Sequence, residues 1–346
     1  MKSQHAVEMS AIRALSFSII AFSLLISCER GSKNTINIKG AAQGTSYNIT
    51  YLAGAYSNYR QSIDSIFKQI DLSMSTYVPG SIVSRLNRND TTVLVDDHFA
   101  TVFKKSMEVS ENTKGLFDIT VAPLVNAYGF GSIKKGPVDE KQVDSLLHYI
   151  GYTKVRLMDK KLVKESPQVM LDFNAIAQGY TVDVLASFLE SKGVHNYLIE
   201  LGGEIRAKGN KLDGSPWTIG IEQPDESPND GIALNTTISL QNKALATSGN
   251  YKKFFVERGH KYTHIINPIT GLPAKSNLLS ATVIADDCMT ADAYATAFMV
   301  MGLDSAKQFL SDHKDLGLEI FFIYDDRGKL KTQVSEDLSK YIGKSP

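Results

Sequence analysis

The chain has 346 residues, with 37 basic and 37 acidic side chains, a formal net charge of zero and a hydrophobic fraction of 43%. That length makes one large domain or two ordinary ones, and that composition supplies a real core, which excludes disorder as a description of the whole. With no net or clustered positive charge, the electrostatic footprint of a nucleic-acid-binding protein is missing.

Taken in chain order, the first residues differ from the rest. Arg13 precedes, and Glu29 and Arg30 follow, an apolar stretch from Ala14 to Ile26 that is too short to span a membrane comfortably as a mature helix. It reads as a secretory signal over residues 1–27. Its end, Leu25-Ile26-Ser27-Cys28, resembles the bacterial lipobox, in which the cysteine is lipidated and becomes the mature N-terminus. Residues 28–38 would then tether a domain spanning 39–346 to a membrane. With Cys28 so committed, Cys288 has no disulfide partner in the chain and reads as a small buried hydrophobe at a helix start. No CxxC pair or His/Cys cluster argues for zinc.

Thr35 to Thr50 reads as extended segments around Gly44. Tyr59 to Ser73 carries a 3.6-residue apolar stripe of Ile63, Ile66, Phe67 and Ile70, which predicts a helix. A turn at Pro79-Gly80 precedes a second helix, Phe99 to Asn112, closed by Lys114-Gly115. After the break at Gly136-Pro137 come a short helix from Glu140 to Ile150, strands at Val155 to Met158 and Val169 to Phe173, and a helix from Ala177 to Ser191. From Asn196 to Leu240 the pattern is strand and hairpin, through YLIEL, EIRAKG, WTIGIEQP and TTISL; a last strand is expected at Ile320 to Tyr324. Strands cluster in adjacent pairs and do not alternate strictly with helices, which predicts an α+β fold of mixed or antiparallel sheets flanked by helices.

Five stretches carry chemistry. In the helix-like run DDCMTADAYATAFMVMG, Asp292 and Thr296 stand four residues apart and so share one face. Two hard oxygen donors there suit a magnesium-type ion shared with phosphates; a capping Asp and a Thr bonded to its own turn is the alternative, and by itself the commoner one. In LDFNAIAQGYTVD, Asp172 either points from a strand end into a crevice or caps the following helix, and the loop leaves the Ala175 carbonyl free. Gly202-Gly203 allows a close backbone approach to a ligand, or simply a tight turn. Phe117, beside Asp118, either stacks on a flat cofactor or belongs to the core. His264 lies on a β-like segment of YTHIINPITGLP that ends in an Asn-Pro turn.

In this order, the segments GTSYNITY, STYVPGS, TKGLFDITVAPLVNAYGFG, LDFNAIAQGY, LIELGGEIRAKG, WTIGIEQP, ALATSGNY, THIINPITGLP and MTADAYATA resemble the ApbE family of flavin transferases. The resemblance runs from about Gly40 to the end of the Asp292 helix. It implies an ApbE-like, T-fold-related architecture and a secreted, lipid-anchored enzyme of the bacterial envelope facing the periplasm. Such an enzyme binds FAD with Mg2+ and moves the FMN half onto a threonine hydroxyl of an acceptor flavoprotein, releasing AMP.

By the same resemblance, Asp292, Thr296 and the Ala175 carbonyl hold the metal. Gln43, Tyr77, Leu116, Phe117, Asp118, Asp172, Gln178, Gly203 and the backbone near Ile266 contact FAD. Two positions depart from the family: Gln43 replaces a common methionine, and Gln178 stands where many members carry Lys or Glu. A threonine hydroxyl is a poor nucleophile at neutral pH, so a positioned base is worth roughly 10²–10⁴-fold. His264 is the candidate and Asp172 the reserve. The implied acceptors are flavoprotein subunits of membrane electron-transport complexes bearing a Ser/Thr-Gly-Ala-Thr-like motif. The rival readings are a FAD pyrophosphatase that uses water, and a flavin-binding lipoprotein without turnover.

Overall fold

The computed structural model describes residues 33–54, 57–131, 138–222, 234–250, 254–257, 260–263 and 265–344. The expected signal segment and Cys28 therefore lie outside the described residues. Within them no helix is long and apolar enough to cross a membrane.

Fifteen strands are described: β1 (Asn34–Ala42), β2 (Thr45–Ala53), β3 (Val155–Met158), β4 (Lys161–Lys164), β5 (Tyr197–Leu201), β6 (Glu204–Lys208), β7 (Trp217–Glu222), β8 (Leu234–Leu240), β9 (Lys243–Gly249), β10 (Phe254–Glu257), β11 (His260–Thr263), β12 (Leu278–Ala285), β13 (Glu319–Asp325), β14 (Leu330–Val334) and β15 (Ile342–Lys344). Eight form one sheet in the order β1-β2-β5-β6-β9-β12-β13-β14, and every pairing in it is antiparallel. A three-stranded sheet, β15-β8-β7, is antiparallel too. β1 begins ahead of residue 39, so the ordered fold takes in the end of the expected tether.

Strand alternation decides what each face of the large sheet covers. Ile205, Ala207, Leu245, Ile284, Phe321 and Ile323 point to one side and pack against Trp217, Ile219, Ile221, Ile238 and Leu240 of the small sheet. Their in-between neighbours, including Ala246, Ala281, Val283 and Phe322, point to the other side and pack under the helices. There lie the helices Arg60–Met74, Ala177–Ser191 and Cys288–Met301. The last of these is apolar nearly all round, with Cys288, Ala291, Tyr294, Ala295 and Phe298 fully buried, as befits a helix enclosed by other elements. The architecture is α+β, as the clustering of strand patterns predicts.

Two elements differ from expectation. Val169 to Phe173 is not a strand: beyond one parallel bridge between Val121 and Met170, the Asn87 side-chain amide bonds both the N–H and the C=O of Leu171. Val169, Leu171 and Phe173 are buried, so the run is apolar for the sake of the core without being laddered. Ile320–Tyr324 is not the last strand either, because β14 and β15 follow it. β14 is a sheet edge whose first three residues are exposed, so it lacks the apolar period that would reveal it.

Candidate functional site

Two helices meet on the helix-covered face of the large sheet. Asp287 caps the N-terminus of the Cys288–Met301 helix, its carboxylate accepting from the Thr290 N–H at 2.8 Å and the Thr290 hydroxyl at 2.9 Å. The Ala177–Ser191 helix has no side-chain cap of its own. Instead the Gly179 N–H donates to Asp292 Oδ2 at 2.9 Å across the helix pair. A Cβ at position 179 would lie 2.4 Å from the Cys288 carbonyl oxygen and 2.7 Å from Asp292 Cβ, so only glycine permits this approach. Asp292 is therefore not the cap of its own helix. Thr296 is turned outward as well, its hydroxyl 3.1 Å from that of Ser248 on β9.

Asp292 is 5% exposed and takes part in none of the ion pairs among the described residues. Burial pushes its pKa up to about 7, against the stabilising Gly179 N–H and with added repulsion from Asp183. A buried carboxylate with a single neutral donor and no cation fits a metal ligand. Among the described residues no group of three or more His, Cys, Asp or Glu side chains could hold a metal, so such a site would rest on one carboxylate with hydroxyl and carbonyl oxygens. Ala175 is half-buried one turn ahead of Gly179, in the segment that leads into the helix.

That segment starts at Asp172, which is 8% exposed. It does not cap the Ala177 helix. Its oxygens turn onto Asn174, taking the backbone N–H at 2.7 Å and the side-chain amide at 3.2 Å, while its own N–H donates to the Ile119 carbonyl at 2.8 Å. The last bond ties it to Asp118, whose Oδ1 accepts from the Thr120 N–H at 2.7 Å and the Thr120 hydroxyl at 2.6 Å. Burial raises the pKa of both carboxyls. Tyr77 is 59% exposed, with its hydroxyl 3.5 Å from the Phe130 carbonyl. Partial burial raises its pKa, and the Asp172 charge adds to the shift. Leu116 is half-buried. Phe117 is 3% exposed within the main core and its N–H donates to Thr113 Oγ1 at 3.1 Å, so the core reading holds for the ring.

Gln43 sits in the β1–β2 turn at φ 52°. Its side chain bonds Thr181 Oγ1 at 3.0 Å, and its carbonyl accepts from Gln178 Nε2 at 3.4 Å, which brings both departures from the family pattern together. Gly202 and Gly203 form the β5–β6 turn at φ 68° and 117°, so the turn reading is correct. Gly203 also faces open space. Ile266 is 6% exposed, bridges to Pro273 and packs with Leu124, Tyr128, Val143 and Ile150. His264 lies outside the described residues. Gly179, Asp183, Ser248 and Asn174 were not singled out from the sequence. Only Gly179 carried a signal there, as an isolated glycine inside a helical pattern.

Known proteins share this fold. The fold superimposes on the flavin transferase ApbE from Vibrio cholerae with a TM-score of 0.80 at 32% identity, covering 90% of this chain and 100% of that one. The ApbE protein from Thermotoga maritima matches with a TM-score of 0.77 at 28% identity, over 89% of this chain and 99% of that one. The ApbE family model matches residues 43–322. The chain belongs to the ApbE family, a family of transferase enzymes. A protein of Haemophilus influenzae named FAD:protein FMN transferase is 36% identical over 312 residues, covering 85% of this chain and 89% of its own. One of the same name from Vibrio cholerae is 36% identical over 288 residues, covering 81% and 85%.

Proposed function

We propose that this chain transfers the FMN half of FAD, with Mg2+, onto a threonine hydroxyl of an acceptor flavoprotein. The observation that carries the reading is Asp292: a buried carboxylate without a cation, held on the Gly179 N–H and sharing a helix face with Thr296, in a chain whose relatives bear that name. The Asp292 carboxylate, the Thr296 hydroxyl and the Ala175 carbonyl would hold the metal, which when bound neutralises charge on the diphosphate oxygens. The threonine oxygen forms a bond to the FMN phosphorus, the bond from that phosphorus to the bridging oxygen breaks, and AMP leaves with the electron pair. The threonine proton passes to a base. Asp172 has both oxygens engaged by Asn174, which favours His264 for that role. Gln43, Tyr77, Leu116, the Phe117 backbone, Asp118, Gln178, Gly203 and Ile266 would line the FAD site.

Residues 1–27 would direct export, and lipid on Cys28 would hold the domain at a membrane facing the periplasm. The acceptors would then be flavoprotein subunits of membrane electron-transport complexes. Incubation with FAD, Mg2+ and an acceptor tests the reaction. A yellow acceptor heavier by the mass of the FMN phosphoryl adduct, with AMP released, is the expected result. Free FMN and AMP with an unmodified acceptor would instead mark a pyrophosphatase, and bound FAD without AMP a carrier.

A further inference from the structure

Asp183 is a half-buried carboxylate that the proposed reaction does not use. It lies one turn beyond Gly179 on the same face of the Ala177–Ser191 helix. One oxygen accepts from the Cys288 N–H at 3.0 Å and the other from the Met289 N–H at 2.9 Å. These are N–H groups at the start of the Cys288–Met301 helix that its own cap, Asp287, does not reach, since Asp287 serves Thr290. The Arg206 guanidinium, on the helix-facing side of β6, donates to the same Asp183 carboxylate and ties the arrangement to the large sheet. Two cross-links thus join the helices one turn apart on each: Asp183 to Cys288 and Met289, and Gly179 to Asp292. Because the earlier residue of one helix meets the later residue of the other, the pair runs antiparallel, and two cross-links set the axial position of one helix on the other.

We infer that Asp183, braced by Arg206, is a positioning pair that sets where Asp292 and Thr296 are presented, and so sets the protein's affinity for its divalent cation without touching that ion. The pair is neutral overall, unlike Asp292, so it needs no metal of its own; an aspartate opposite the positive end of a helix is stabilising by itself. Removing partners that orient metal ligands typically weakens metal affinity 10–100-fold.

The inference rests on the metal role given above to Asp292, and its test separates the two. The Mn2+ dissociation constant is measured calorimetrically on the full chain, beside the Mg2+ concentration giving half-maximal FMN transfer. Asp183→Ala is expected to raise both about tenfold or more, with transfer at saturating Mg2+ nearly retained. Asp183→Asn, whose amide oxygen accepts one of the two N–H groups, should fall between. If Asp183→Ala does not fold, Arg206→Met keeps the carboxylate, removes its brace and should give a smaller shift in the same direction. A folded variant with a lower melting temperature but unchanged metal affinity would overturn the inference and leave the pair merely structural. Were wild-type protein to bind no divalent cation at all, the metal reading itself would fail, whatever the variants do.

Discussion

The two faces of the eight-stranded sheet are built from the same strands and bury very different chemistry. On β6, Ile205 and Ala207 point into the dry seam against the small sheet, whereas Arg206, between them, reaches the helices and Asp183. On the sheet-to-sheet face the buried polarity includes hydroxyls that satisfy each other, Thr247 and Thr282 at 2.9 Å. On the helix side lie the buried carboxyls of Asp118, Asp172 and Asp292, all pushed toward their protonated forms. A protein selected only for stability has little reason to keep acids there, since a buried unpaired charge costs several kcal/mol. The contrast marks one face as scaffold and the other as site.

The sharpest way to break that contrast is Asp292→Ala. It should lower metal-dependent AMP release by on the order of 10³-fold or more, because several kcal/mol of charge stabilisation would leave with the metal. The fold should survive, since the side chain removed is a destabilised acid. Wild-type turnover in Mg2+ would put the metal elsewhere. Gly179→Ala comes next: its Cβ, 2.4 Å from the Cys288 carbonyl, forces the helices apart at a cost of about 1–3 kcal/mol. We expect weaker metal binding together with a lower melting temperature. A neutral result in both would mean that the close approach is unimportant.

The acids also predict how the metal-free protein responds to pH. Asp292 titrates at about 7 in the fold against an ordinary value of 3.8, so the folded state holds a proton that the unfolded chain has lost between those values. Stability contributed by that proton is present at low pH and is lost as pH rises through the folded pKa, by at most about 4 kcal/mol over the window. Asp118 and Asp172 are shifted the same way and reinforce the sign. The melting temperature without metal should therefore fall between about pH 4 and 7, and Asp292→Asn should flatten the fall. A wild-type curve that rises over that range would contradict the assignment.

Much of this was legible in the sequence, for identifiable reasons. The Tyr197–Leu201, Glu204–Lys208 and Trp217–Glu222 strands alternate in apolar character because each has differently filled faces, and the Arg60–Met74 helix shows its stripe because its outer face is wet. The segment before the Ala177 helix looked like a strand because burial, not laddering, made it apolar. β9 and β12, at the middle of the sheet, went unread: covered on both sides, they mix Ala, Ser, Thr and Val without a clean period of two. Asp292 and Thr296 could be paired by spacing alone. Their partners Gly179 and Ser248 could not, being more than a hundred and about fifty residues away in the chain. Spacing reports what one helix can align; it does not report what another element brings up to it.

The mildest test uses two adjacent residues on one strand. Thr247 faces the small sheet, bonded to Thr282, and Ser248 faces the helices, bonded to Thr296. Thr247→Val strands one hydroxyl and should cost about 1 kcal/mol in stability, recovered largely by adding Thr282→Val, with FMN transfer unchanged throughout. Ser248→Ala loses a hydrogen bond of the same kind and should cost about as much stability. It frees the Thr296 hydroxyl to rotate, so the Mg2+ requirement for transfer should rise a few-fold, corresponding to about 1 kcal/mol of lost orientation. The two variants thus match in stability and part in metal dependence. If Thr247→Val shifted the Mg2+ requirement as much as Ser248→Ala does, the faces would not be separate in function, and the division into scaffold and site would have to be redrawn.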